Sequence, residues 1–139
     1  MRINYHYSIR YKPIYLFSFV KYNKYVDLTL YKKYILNQID DAVDSLIENN
    51  SSRQAVMAIN RGIKEHCSCC LSLQFQIVKK RLILIANYRS QCKKYGRPID
   101  EIMLRFLVTF FLKKLKNKGL DLNKRPKILV NVGNYHKNK

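Results

Sequence analysis

Apolar residues recur along this chain at two spacings, and the switches between them lay out its elements. Tyr5, Tyr7, Ile9 and Tyr11 alternate with polar neighbours, which suits a half-buried strand, and Pro13 interrupts it. Ile14–Tyr22 reads as a second strand. The spacing then becomes helical over Tyr34–Glu48, where Ile35, Ile39, Val43, Leu46 and Ile47 share one face and Asp40, Asp41 and Asp44 the other. Asn49-Asn50-Ser51-Ser52 ends that helix with turn chemistry. Arg53–Asn60 reads as a strand and Arg61–His66 as a loop. Period two returns in Cys69–Val78 and Arg81–Arg89, which Lys79-Lys80 would join as a tight hairpin. In the second of these, Leu82, Leu84 and Ala86 alternate with Ile83 and Ile85, so both faces are expected to be buried. Pro98, followed by Asp100 and Glu101, opens a long helix to about Lys118, and Gly119 supplies its stop. Lys127–Val132 is a last short strand ending at Gly133. This order predicts an α+β domain, a mixed or mainly antiparallel sheet packed with two main helices.

Length adds little to that picture: 139 residues fit one domain and can bury a real core. Charge adds more. Lys+Arg 27 against Asp+Glu 9 gives a formal +18 and a pI near 9.9. The excess points to an anionic partner, whether nucleic acid, phosphorylated metabolite or acidic membrane. It is equally what a bias toward A/T-rich codons would produce, since Lys, Ile, Asn and Tyr are all abundant. The cations are spread as doublets such as Lys32-Lys33, Lys79-Lys80, Lys93-Lys94 and Lys113-Lys114 rather than gathered in one segment. The longest apolar stretches, Ile14–Val20 and Ile102–Leu112, fall short of the ~20 residues that span a bilayer. Met1–Arg10 lacks the apolar run of a signal peptide. A reduced, cytoplasmic setting without disulfides is therefore expected.

The four cysteines Cys67, Cys69, Cys70 and Cys92 raise the question of chemistry. With His66 they suggest a metal, but Cys-x-Cys-Cys without a second spaced pair is a poor zinc site. The surrounding residues are more informative. Ser68-Cys69-Cys70-Leu71-Ser72-Leu73-Gln74-Phe75 places a Gln five positions after a Cys at a strand start. Tyr88-Arg89-Ser90-Gln91-Cys92-Lys93-Lys94-Tyr95-Gly96-Arg97-Pro98-Ile99-Asp100 follows, and Gly133-Asn134-Tyr135-His136-Lys137-Asn138 closes the chain. Together with Asn37-Gln38-Ile39 and Ser52-Arg53-Gln54-Ala55-Val56, these segments resemble, in order, the thymidylate synthase and deoxycytidylate (pyrimidine) hydroxymethylase family. The resemblance runs from about Asn37 to Asn138, leaving 1–33 as a poorly matching N-terminal segment and 34–139 as a partial domain of that type.

The resemblance implies a transferase acting on carbon 5 of dUMP or dCMP. A thiolate adds to carbon 6, making carbon 5 nucleophilic toward the one-carbon unit of 5,10-methylenetetrahydrofolate; this is covalent catalysis. Cys69 would be that thiolate. Arg89 would lower its pKa and bind the nucleotide phosphate, with Ser90 adding a hydroxyl. Arg53, with Gln54 in place of a second family Arg, would reach the phosphate from the other subunit of a homodimer. Gln74, Gln91, Cys92 and Gly96 fall at substrate-contacting positions, Cys92 replacing a family Asp. His136 would hold the sugar hydroxyl, with Asn138 where Tyr usually helps. Asp100 stands where uracil readers carry Asn, and as an acceptor it leans toward the amino group of cytosine. No equivalent is recognised of the family's phosphate loop, proton-relaying glutamate or folate-closing segment. An inactive relative that retains nucleotide binding or dimerisation therefore stands beside the enzyme, and a small basic nucleic-acid-binding protein is the reading that charge alone would favour.

Overall fold

A computed structural model of the chain describes residues 1–15, 35–59 and 69–137. The expected strand over Ile14–Tyr22 and the loop Arg61–His66 fall outside the described residues, Ile14 and Tyr15 excepted. Strand β1 spans Arg2–Ile9, helix α1 Asn37–Glu48, β2 Val56–Ala58, β3 Cys70–Val78, β4 Arg81–Cys92, helix α2 Gly96–Asn117 and β5 Lys127–His136. The five strands form one sheet in the order β1-β5-β4-β3-β2. Only β4 and β5 run parallel, and α2 is the crossover between them. The sheet is therefore mixed and the class α+β, as the periodicity predicts.

Local chemistry accounts for the junctions. Lys79 and Lys80 both take positive φ, 51° and 62°, the left-handed pair of a two-residue hairpin turn whose twist matches the strands. Gly119 (φ 93°) ends α2. Leu120 N–H donates to the Leu115 carbonyl at 2.9 Å and Gly119 N–H to Lys116 at 3.0 Å, a closed Schellman pair. Several boundaries differ from expectation, and β4 runs past Arg89 to Cys92. Helix α2 starts two residues earlier, so Pro98 sits inside the first turn, where its missing N–H costs nothing. Strand β5 runs past Gly133 to His136, because β1 and β4 flank it on both sides. The strand expected over Arg53–Asn60 shrinks to Val56–Ala58, its pairing with β3 covering only those three residues.

One face of the sheet is dry. Leu73, Phe75, Leu82, Leu84, Ala86, Ile128, Val130 and Val132 pack under α2 through Leu104, Leu107, Val108 and Phe111, and under α1 through Ile39, Val43 and Leu46. Phe75 and Phe111 stack with ring centroids 3.8 Å apart. The two helices are tied by Lys114 to Asp40 at 2.6 Å and by Lys118 to Asp44. Ile83 and Ile85 are only half-buried on the other face, rather than fully buried as expected, because both helices lie against one side. That open face carries a row of side chains across four strands. His6 Nδ1 meets Asn131 Oδ1 at 2.7 Å, Asn131 Nδ2 donates to Asn87 Oδ1 at 3.0 Å, and Asn87 Nδ2 donates to Ser72 Oγ at 3.1 Å.

A line of irregularity crosses the sheet and sets the site. Asn4 takes φ 55°. Regular pairing skips Asn4, Gly133 and Arg89, and β3 shifts register between Cys70 and Ser72. Gly133 is required there, since a Cβ on it would stand 2.8 Å from the Arg89 carbonyl oxygen. Below the line the even-numbered residues of β4 face the helices; beyond it Gln91, 3% exposed, turns toward α2 instead.

Candidate functional site

Beyond that line the ends of β3, β4 and β5 gather the residues singled out in the sequence. Cys69 immediately precedes β3 and is exposed. Its carbonyl accepts the Arg89 N–H at 2.8 Å, which fixes the two residues side by side on adjacent strands. Arg89 is itself exposed. The next residue, Ser90, has its Oγ 3.2 Å from His136 Nε2, while His136 Nδ1 is buried and has no hydrogen-bond partner among the described residues. A thiol, a guanidinium, a hydroxyl and an imidazole thus share one end of the sheet. The neighbouring thiol is different: Cys70 is 4% exposed and burial pushes it up to about 12, with the Asp100 carboxyl adding to the shift. It stays protonated against its cross-strand partner Tyr88, whose phenol burial also pushes well above its usual value. Of these adjacent cysteines, only Cys69 is placed to act as a nucleophile.

Behind these groups lies a buried polar chain. The Tyr7 hydroxyl donates to Gln91 Oε1 at 2.6 Å, and Gln91 Nε2 donates to Asp100 Oδ2 at 2.9 Å. Burial raises the Asp100 carboxyl to about 6, the hydrogen bond from Gln91 holding it back. Burial likewise raises the Tyr7 phenol. Arg97 closes the cluster: its guanidinium lies 3.8 Å over the Tyr7 ring, bonds Glu101 at 2.9 Å and donates to the Tyr135 hydroxyl at 3.1 Å. Tyr135 in turn stacks on Tyr5 at 4.4 Å. The motif comparison did not single out Tyr5, Tyr7, Arg97 or Tyr135. Their signal lay in the aromatic alternation of β1 and in two residues inside the matched segments.

The remaining positions divide. Gly96 lies against Gln91, Cys92 and Asp100 with room for a Cβ, since the nearest atoms are 3.8 Å away. Cys92 is buried, its Sγ 3.6 Å from the Lys137 carbonyl. Gln74 lies five residues along β3 from Cys69, about 16 Å away at strand rise, and donates to the Arg53 carbonyl at 3.1 Å. Arg53 and Gln54 are exposed and line a polar cleft of about 410 Å³ with Ser45, Glu48, Asn49, Ser51 and Ser52. Within one chain the fold does not bring this pair to Cys69. Asn138 lies outside the described residues, as do His66 and Cys67. Among the described residues no group of three His, Cys, Asp or Glu side chains is placed to hold a metal, and no helix is long and apolar enough to cross a membrane.

No protein-family model matches the sequence, and no curated protein does. Solved structures do match the fold. Thymidylate synthase from T4 phage superposes with a TM-score of 0.61 at 18% identity, over 76% of this chain and 37% of its own. The thermostable thymidylate synthase A from Bacillus subtilis gives 0.57 at 19% identity, over 69% of this chain and 34% of its own. This chain spans about a third of the length of those neighbours. At such identities the likeness is one of fold, over part of a thymidylate synthase.

Proposed function

We propose that this chain binds a pyrimidine deoxynucleotide monophosphate and offers Cys69 as the thiolate that adds to carbon 6 of its base. The observation that carries the reading is the pairing of the exposed Cys69 with Arg89, beside Ser90 and His136. Arg89 is suited to the phosphate because its fork matches phosphate geometry. His136 and Ser90, already in contact, supply donors for the sugar. Asp100 as a carboxylate accepts a hydrogen bond, which favours the amino group of cytosine over the carbonyl of uracil. The sulfur–carbon 6 bond forms as the 5,6 double bond moves its electrons to carbon 5. Carbon 5 takes a proton from water, and reversal with loss of the original hydrogen returns the base with that hydrogen exchanged.

In enzymes of this type methylenetetrahydrofolate supplies the one-carbon unit that carbon 5 attacks, giving a methyl or hydroxymethyl product. The position that the resemblance gives to ligand contact is here Cys92, buried with its thiol on a backbone carbonyl, which does not fit a folate. The mechanism is therefore taken only as far as the adduct and carbon 5 exchange. The same reading puts a second copy of the chain on the open face of the sheet. Val56, Val78 and Leu129 are 38–49% exposed there around the row from His6 to Ser72, and the resemblance has Arg53 and Gln54 reaching the phosphate across such a dimer.

Tritium release from 5-labelled dCMP and dUMP, with and without methylenetetrahydrofolate, tests the reading. Release that Cys69→Ala abolishes is expected, faster with dCMP. Saturable dCMP binding without release would leave a nucleotide-binding domain, and absence of both would overturn the proposal. Sedimentation equilibrium checks the dimer.

A further inference from the structure

The opposite end of the sheet carries a cleft that the nucleotide reading leaves unused. It holds about 500 Å³ and is lined by Ser8 to Tyr11 at the end of β1, Arg81 at the start of β4, and Arg125 to Leu129 at the start of β5. Four of these residues are cations and none is acidic. No ion pair engages Arg10, Arg81, Arg125 or Lys127 among the described residues. The charge continues beyond the cleft. Lys124 Nζ donates to the Lys79 carbonyl at 2.9 Å, which sets Lys124 against the Lys79-Lys80 turn.

These residues are scattered in sequence, yet the topology brings them to one edge. In the order β1-β5-β4-β3 they follow one another as Arg10, then Lys127 with Arg125, then Arg81, then Lys79 and Lys80. Four strands at about 4.8 Å spacing make a row about 14 Å long. A compact anion would engage only part of such a row, whereas consecutive phosphates of a chain would use all of it. The wall adds Tyr11, whose hydroxyl is held 2.9 Å from Thr109 Oγ1, and a fixed ring is a surface for base stacking. We propose that this cleft binds the phosphodiester backbone of a single-stranded nucleic acid, independently of the nucleotide site. Along β4 the eight residues from Arg81 to Arg89 separate the two by about 26 Å.

Fluorescence anisotropy with labelled oligothymidylate, titrated with salt, tests this. Four phosphate contacts on a single strand predict a log–log salt slope of about −3, so affinity falls roughly 50-fold between about 50 and 200 mM salt. Replacing Arg81, Arg125 and Lys127 together by Gln should weaken the slope by about 2. Lys94→Gln/Lys113→Gln/Lys116→Gln, with the same change in net charge, should leave it nearly unchanged. If the first triple variant loses its circular dichroism signal, Arg125→Gln alone, in the loop before β5, should lower the slope by about 0.7. Equal losses in the two triple variants would show a diffuse charge effect and overturn the proposal. Displacement by tripolyphosphate at the same phosphate concentration would overturn it in favour of a compact-anion site. Displacement by dCMP would assign binding to the Cys69 end and also overturn it.

Discussion

Asp100→Asn is the substitution whose effect can be worked furthest from the structure. The Asp100 carboxyl is half-buried and accepts one hydrogen bond from Gln91, and burial raises it from 3.8 to about 6 in the folded chain. Below about pH 3.8 it is protonated in both folded and unfolded states, and its folded environment costs nothing. As pH rises toward 6 the unfolded chain ionises freely and the folded one resists, so stability falls by about 1.4 kcal/mol per pH unit. Above 6 the loss levels off at about 3 kcal/mol. Asparagine keeps an oxygen for Gln91 and never ionises. The variant should therefore match the parent near pH 3.5 and exceed it by up to about 3 kcal/mol at pH 7, or about 10 °C in melting temperature. Urea titrations of both proteins across this range provide the measurement. The reasoning fails if the two curves run parallel with pH, or if the variant is the less stable at pH 7. Either result would mean that the folded carboxylate is stabilised as an anion.

Other outcomes follow from single positions. Gly133→Ala puts a methyl 2.8 Å from the Arg89 backbone oxygen, so strands must shift, and a loss of about 1–3 kcal/mol is expected in the same titrations. Lys79→Asn with Lys80→Gly supplies residues that accept positive φ more readily; a gain of about 1–2 kcal/mol is expected, and no gain would mean that the turn adopts another conformation in solution. Iodoacetamide at neutral pH should alkylate Cys69 in the native protein and reach Cys70 only on unfolding, as peptide mass spectrometry of timed samples would show.

Much of the architecture was legible because its signals are local. The apolar spacing of α1, the Lys79-Lys80 turn and the Gly119 stop each rest on a few consecutive residues. The same holds for the order of strands and helices, from which the mixed sheet follows. What was not legible is non-local. The irregular line through Asn4, Gly133 and Arg89 joins three strands, and nothing near Gln91 in sequence says that it turns toward α2. Its partner Tyr7 is 84 positions away. The matched segments named Cys69, Arg89, Ser90 and His136, and the fold brings these together. They also named Gln74, whose amide holds the Arg53 backbone. The basic cleft was not legible because its cations arrive from separate strands, so doublets along the chain conceal a cluster in space.

The position of β1 carries a consequence for how the molecule assembles. Among the described residues β1 pairs only with β5, Arg2 opposite Tyr135 and Ile9 opposite Ile128. That pairing must wait until the residues between the two strands have been made and β5 is laid against β4. Contacts of that span are slow to form, because a long loop must close before they reward it. Until β1 docks, β5 presents a bare strand edge to other chains. β1 is therefore made well before its partner and docks after it, and that docking is a step at which folding competes with aggregation.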